Sequence, residues 1–521
     1  AGNPDVVEAL VYNPHPWPYT GPVTFDVYVN DMGESACPQE FEILNSVSER
    51  VPTQNVKTVP APFHQNVGVV AYRFTFIARE LPPCGYETYQ FTMVDTASAF
   101  PSDLAHDDTS MENQFYKVSF NADGSFNLLD KETGQEYASL GVIEDKGDWG
   151  DEYDYSWPPA GAEDAVILSQ GQAAEVTFID AGEANVTAEV AFTLPIPAAL
   201  ADPRKKRLSE AIPTPFSVQV TLFAGVKRVN VKVAWNNQSK DHRVRMLFPS
   251  GIVADTVQAD GHFLVIDRKV DKPDDTGWKQ MYVGPNHQNM FVNVQGAGRG
   301  IAACNQGLPE YEAVREADGS VTLAVTLLRC IGWLSRGDFA TRKGNAGPDI
   351  STPNAQMLGP FEANLAVTTH AGDWLAGEVH RRARELNAPA ATFLPESVRS
   401  RERADDILFL AGVASITIRA PKESTSLPPS LSAVAVEPKE LEVTALKQAE
   451  DGSGTILRLV NMSEGDVSGT VTLWKEPQSV EVVDLNEQTP HREIKGSASQ
   501  DRNAVTVTLS AHVIMTLKLS F

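Results

Sequence analysis

The sequence carries none of the common catalytic signatures. It has no H-E-x-x-H, no G-x-x-x-x-G-K-[ST] and no G-x-S-x-G, so zinc-protease, P-loop and nucleophile-elbow chemistry find no foothold. The glycine cluster Gly296-Ala297-Gly298-Arg299-Gly300 reads only as a turn. The ten histidines are scattered without metal-ligand spacing. His287, near Trp278 and Tyr282, either faces a cleft or is a structural histidine. Cysteine is equally sparse. Four residues (Cys37, Cys84, Cys304, Cys330) without a C-x-x-C pair are too few for a disulfide scaffold or zinc knuckle in so long a chain. Free thiols in a reducing cytosol are the expectation, with a Cys37–Cys84 bridge left open. No apolar run is long enough to span a bilayer. Positive charge is short as well: 43 Lys and Arg against 68 Asp and Glu leave a net charge of −25. A field of that sign repels nucleic acid and anionic membrane, and neither is an expected partner. The compact basic run Arg204-Lys205-Lys206-Arg207 is short enough to be a solvated loop.

What is present is β texture. At 521 residues the chain exceeds one core and should divide into about three domains. Alternating runs such as Val6–Tyr12, Val23–Val29 and Val67–Phe76, separated by Asn13-Pro14-His15-Pro16 and Leu81-Pro82-Pro83-Cys84-Gly85, predict a small β-sandwich over 1–108. Thr96–Thr109 reads as a linker. Strand and turn texture continues through 109–372, with turns at Asn121-Ala122-Asp123-Gly124 and Asp130-Lys131-Glu132-Thr133-Gly134. Clear strands there are Phe216–Phe223, Val229–Trp235 and Val321–Leu328. One helix is predicted over Trp374–Leu386, with Asp373 as N-cap and Leu375, Val379, Ala383 and Leu386 on its apolar face. It forms a connector, 373–390. A C-terminal β unit follows over 391–521, irregular at first (Lys422–Pro429) and then alternating at Leu441–Leu446, Thr455–Val460 and Ala504–Leu509. The fold class is therefore all-β.

One stretch concentrates the chemistry: Glu144 to Pro159, where Asp145, Asp148, Asp151 and Asp154 alternate with Trp149, Tyr153, Tyr155 and Trp157. Two glycines and a closing Pro-Pro exclude a regular helix or central strand, leaving a shaped loop. Aromatic faces stack on the apolar side of a pyranose, and carboxylates and phenols hydrogen-bond its hydroxyls. The other reading is a solvated acidic loop whose aromatics fill a local core.

The text around that loop resembles the C-terminal region of glycoside hydrolase family 38, the α-mannosidases and mannosylglycerate hydrolases, and most resembles the bacterial branch. The matching pieces are Glu112-Asn113-Gln114-Phe115-Tyr116-Lys117-Val118, Asp123-Gly124-Ser125, Asp130–Gly134 and the acidic loop. Gly307–Tyr311, Leu327-Leu328-Arg329, Gly332–Asp338, Gly344–Pro348 and Ala445–Glu450 follow in order. The resemblance implies a galactose-mutarotase-like super-sandwich for 109–372 and an Ig-like C-terminal sandwich. It also implies retaining hydrolysis of an α-mannosidic bond, with a nucleophilic Asp and a zinc carried on an N-terminal barrel. This chain lacks the barrel's alternation of strands and helices. No catalytic residue, metal ligand or cofactor is therefore expected here; the zinc belongs to the missing N-terminal catalytic domain. The chain reads as a fragment entered at a domain boundary.

In the family this half closes one wall of the sugar pocket, and Tyr153 aligns with the tyrosine that reaches the sugar. Asp154 and Tyr155 depart from the apolar residues of the animal enzymes. Asp148 and Asp151 are candidates for contact with substrate or barrel. Arg336 and Asp338 form a second wall, where the guanidinium either meets a sugar or a substrate carboxylate or joins an interface ion pair. The expected partners are a mannose-containing carbohydrate and the catalytic domain, with homo-oligomerisation left open. The competing reading is a stand-alone carbohydrate-binding or scaffolding β protein.

Overall fold

The computed structural model describes residues 6–30, 40–58, 69–94, 100–201, 203–393, 408–410 and 428–521. Cys37, and Lys422–Pro429 up to residue 427, lie outside them. The alternating segments all form antiparallel strands, as the all-β expectation requires. In the first sandwich, one sheet runs Val6–Tyr12, Tyr86–Val94, Glu40–Leu44 and the other pairs Tyr19–Asn30, Val69–Leu81, Thr53–Thr58. Val11, Tyr19, Phe74, Phe76 and Tyr89 fill the space between.

The large unit packs a nine-stranded sheet, a six-stranded sheet and a five-stranded meander around one core. Period-two alternation shows plainly in Val229–Asn237, where Val229, Val231 and Val233 point inward. Ser320–Cys330 lies near the middle of the six-stranded sheet, between His242–Val253 and Glu310–Arg315. Ten of its eleven residues are buried, so loops must cover its outer face as the core covers its inner one. The C-terminal unit is a sandwich of two four-stranded sheets.

Two boundaries differ from the sequence reading. Ala105–His106, placed within a linker, pairs with Ser110–Glu112 in the meander. Ala391–Phe393 returns to the first sandwich and pairs with Leu10–Tyr12, and Ser430–Leu431 pairs with Tyr86 and Glu87. Open edges of the first sandwich accept these late strands, which lie within the 391–521 span.

The helix is also shorter than its periodicity suggested, Val379–Asn387. Asp373 caps a preceding turn, accepting Ala376 N at 2.7 Å. Gly377 is pressed against His370, where a Cβ would stand 2.2 Å from the His370 Cβ, and Glu378 adopts φ +56°. The chain therefore enters the helix only after this bend. Val379, Ala383 and Leu386 pack on Phe291, Ala302 and Ala366 of the nine-stranded sheet. Glu385 accepts Trp17 Nε1 at 3.3 Å from the first sandwich, and Arg384 meets Glu442 of the C-terminal sandwich at 3.0 Å. The connector thus joins three units.

Candidate functional site

Contrary to the sequence reading, Glu144–Gly147 are not loop but the end of strand Val142–Gly147, which pairs with His242–Leu247, and the loop proper starts at Asp148. At that junction Asp145 is fully buried between His242 Nδ1, at 2.5 Å, and Arg207. Burial works to lower the His242 pKa, but the Asp145 charge and hydrogen bond raise it to about 10. The imidazolium then donates through Nε2 to Asn237 Oδ1 at 3.0 Å. This is a structural clasp at the base of the loop.

Beyond it the loop is tied to itself and to two distant arginines. Asp148 Oδ1 accepts Gly150 N at 2.8 Å, and its Oδ2 accepts Arg329 Nε at 2.6 Å. Arg329 also donates to the carbonyls of Asp151, at 2.6 Å, and Asp154, at 2.5 Å. Burial would lower the Arg329 pKa, yet Asp148 carries it above the usual value. Asp151 Oδ1 accepts Tyr153 N at 3.0 Å; its Oδ2 takes Arg336 N at 2.8 Å and the Arg342 guanidinium. Asp154 takes the other arm of Arg342 at 2.6 Å, and Gln280. Gly150 is required for this curl, because a Cβ there would stand 1.8 Å from Asp154 O. Trp149 is buried and donates to Arg204 O at 2.6 Å. Tyr155 lies under the Arg243 guanidinium, 3.7 Å away, and burial pushes its phenol up to about 12.

The expected site residues therefore separate. Asp148 and Asp151, expected to face substrate or barrel, are 0% exposed and engaged by the loop backbone and by Arg329, Arg336 N and Arg342. A buried carboxylate is held only where charge and hydrogen bonds satisfy it, and here those partners are internal. Tyr153 is the outward residue, 53% exposed and lying over Gly347, where a Cβ would stand 2.7 Å from its hydroxyl. Arg336 and Asp338 form a bidentate pair at 2.8 and 2.7 Å. That hydrogen bond raises the Arg336 pKa and lowers that of Asp338. The second wall thus touches the loop at two points: Arg336 through its backbone N–H to Asp151, and Gly347 against the Tyr153 ring.

Sequence reasoning missed Arg342 and Gln280. Arg342 is the counter-charge to both Asp151 and Asp154, and the only available signal was its place between two motifs that were noticed. Exposed apolar side chains lie on the segments that carry Gln280 and the second wall. Met281, whose N–H bonds Thr341 O at 2.8 Å, Ile350, whose carbonyl accepts Leu334 N at 2.9 Å, and Trp278 are all exposed. His287 is exposed in a short strand beside Glu310. Among the described residues no group of three or more His, Cys, Asp or Glu could hold a metal ion. Cys84, Cys304 and Cys330 are buried thiols; burial pushes Cys84 and Cys304 up to about 12. Among the described residues, no helix is long and apolar enough to cross a membrane.

Comparison with known proteins bears on the family and the fold. Residues 111–338 match the glycosyl hydrolases family 38 C-terminal domain, and 440–517 match the C-terminal beta sandwich domain of the same family. A Halalkalibacterium halodurans protein named, by inference, a mannosylglycerate hydrolase is 28% identical over 470 residues, covering 84% of this chain and 47% of its own. An α-mannosidase structure from Enterococcus faecalis V583 superposes with a TM-score of 0.77 at 21% identity, over 99% of this chain and 56% of its own. A family 38 protein structure from Enterococcus faecalis gives 0.77 at 22% identity, over 99% and 58%. These likenesses show the fold, and the chain spans about half the length of the relatives it matches.

Proposed function

Because this chain belongs to glycoside hydrolase family 38, as its C-terminal region, we propose that it serves a retaining α-mannosidase-type hydrolase. In this reading it supports the catalytic barrel and lines one wall of the mannose pocket. The observation that carries the proposal is the exposed Tyr153 phenol on a loop whose neighbouring carboxylates are consumed internally. Such a loop is rigid, and a rigid donor costs little reorganisation when it meets a sugar hydroxyl or the nucleophile. The exposed Trp278, Met281 and Ile350 give the barrel, or the sugar, an apolar surface to cover. The nucleophile and the zinc are assigned to the barrel, so residues 1–521 alone should not hydrolyse mannosides. Arg336 is already answered by Asp338. A substrate carboxylate must displace that partner, which makes the ion pair a latch for the second wall first and a carboxylate reader second.

The test is Tyr153→Phe in the intact enzyme, together with reading the coding DNA upstream of Ala1 for the barrel. A fall in kcat/KM toward an aryl α-mannoside of roughly 10- to 100-fold is expected for losing one transition-state hydrogen bond. Unchanged kinetics would remove Tyr153 from the site. If the 521-residue chain binds mannosides through Tyr153 while no barrel is encoded, the sugar-binding reading stands in its place.

A further inference from the structure

The nine-stranded sheet has a second face, turned away from the core, and its polar side chains converge on a cleft. Alternation sends Val218, Val220, Val231 and Val233 inward, which leaves Gln219, Thr221, Asn230, Lys232 and Asn364 outside. Register then aligns them across three strands. Gln219 sits opposite Lys232, Lys232 opposite Asn364, and Thr221 opposite Asn230. The first sandwich contributes Tyr19 and Pro22 as one wall, and the helix contributes Glu385 and Leu386 as the other. Together they bound a cavity of about 320 Å³, at the small end of the roughly 300–1,000 Å³ usual for small-molecule sites.

The chemistry of its lining is neutral. The charged groups answer one another: Lys232 Nζ meets Glu362 at 2.8 Å. Arg228, fully buried, donates to Asn230 Oδ1 at 2.8 Å and to Arg382 O at 3.0 Å, with Glu385 3.8 Å away. A phosphate or carboxylate would find no uncompensated cation. Among the described residues, the amides of Gln219 and Asn364, half-buried in the cleft, have no hydrogen-bond partner, and Asn230 Nδ2 has no acceptor. Each amide carries a donor and an acceptor in one plane, the pattern that vicinal hydroxyls complement.

We propose that this cleft binds a neutral, hexose-sized polyol, as a second site distinct from the Tyr153 loop. The two lie on different sheets: the loop ends a strand of the six-stranded sheet, while the cleft is floored by the nine-stranded one. The ligand would bridge the first sandwich, the sheet and the helix, so its binding stabilises their mutual arrangement.

Saturation-transfer NMR on the 521-residue chain, with D-mannose, D-glucose and myo-inositol as probes, tests this. Transfer to at least one probe is expected. It should weaken at least tenfold in Gln219→Leu/Asn364→Leu, since two directional hydrogen bonds are lost, and persist in Tyr153→Ala. Both substituted side chains lie on the outer face, and an unchanged thermal unfolding curve verifies the fold; the two single variants, each expected to weaken binding, repeat the test should the double variant unfold. No transfer from any probe overturns the proposal, as does binding that survives the substitutions. Binding lost in Tyr153→Ala but intact in the cleft variants assigns the sugar to the loop alone and overturns it too.

Discussion

Replacing Arg329 by Met should undo the loop more completely than any other single change. The guanidinium makes three hydrogen bonds of 2.5–2.6 Å, to the Asp148 carboxylate and the carbonyls of Asp151 and Asp154. Methionine preserves much of the stem and removes all three. Asp148, 0% exposed, would keep its backbone donors and lose the guanidinium paired directly with it. Breaking a buried pair this way costs about 3–5 kcal/mol. The Arg329 side chain is 18% exposed, so water can enter at its end, and we expect the lower figure, about 3 kcal/mol. For a unit of this size that corresponds to a melting point lower by roughly 6–12 °C. The assay is urea unfolding followed by tryptophan fluorescence, to which buried Trp149 contributes from within the loop. Asp148→Asn and the double variant complete a cycle, in which the double should cost less than the sum by about 1–2 kcal/mol. A single-variant loss below about 1 kcal/mol, or strict additivity, would refute the clamp.

Two further expectations concern the same region. The His242 pKa, raised to about 10 by Asp145, lies above its unfolded value near 6.5. Protonation therefore stabilises the fold fully below about pH 6.5, and that contribution is lost as pH rises toward 10. Stability measured by denaturant between pH 6.5 and 10 should fall, and His242→Gln should flatten the slope; an equal slope in the variant would contradict the pairing. Gly150→Ala forces a Cβ to 1.8 Å from Asp154 O, which should cost about 3 kcal/mol by overpacking and speed proteolysis within 148–157. A variant as stable and as resistant as the parent would show that the curl is not needed.

Much of this protein was decided locally and was therefore legible in the chain. Apolar and polar residues alternate in Val229–Trp235 and Ala504–Leu509 because one face of each strand is buried, and those strands appear where the pattern puts them. Gly124 and Gly134 mark their turns with positive φ, and the motif order around Glu144–Pro159 was enough to suggest the family. Local pattern failed where a residue's role depends on a distant partner. Asp148 and Asp151 look identical in sequence to surface acids; Arg329 and Arg342, nearly two hundred residues on, turn them inward. The helix periodicity begins at Trp374, but contact between Gly377 and His370 delays its start to Val379. Ala391–Phe393 belongs to the first sandwich because that sheet had an open edge to offer. The sequence by itself determined which segments are strands and where the turns fall, since burial of one face is written into neighbouring residues. Only the tertiary structure decided which carboxylates are buried and that Tyr153 is exposed. Charge pairing and edge pairing act through space, between residues that the chain order keeps far apart.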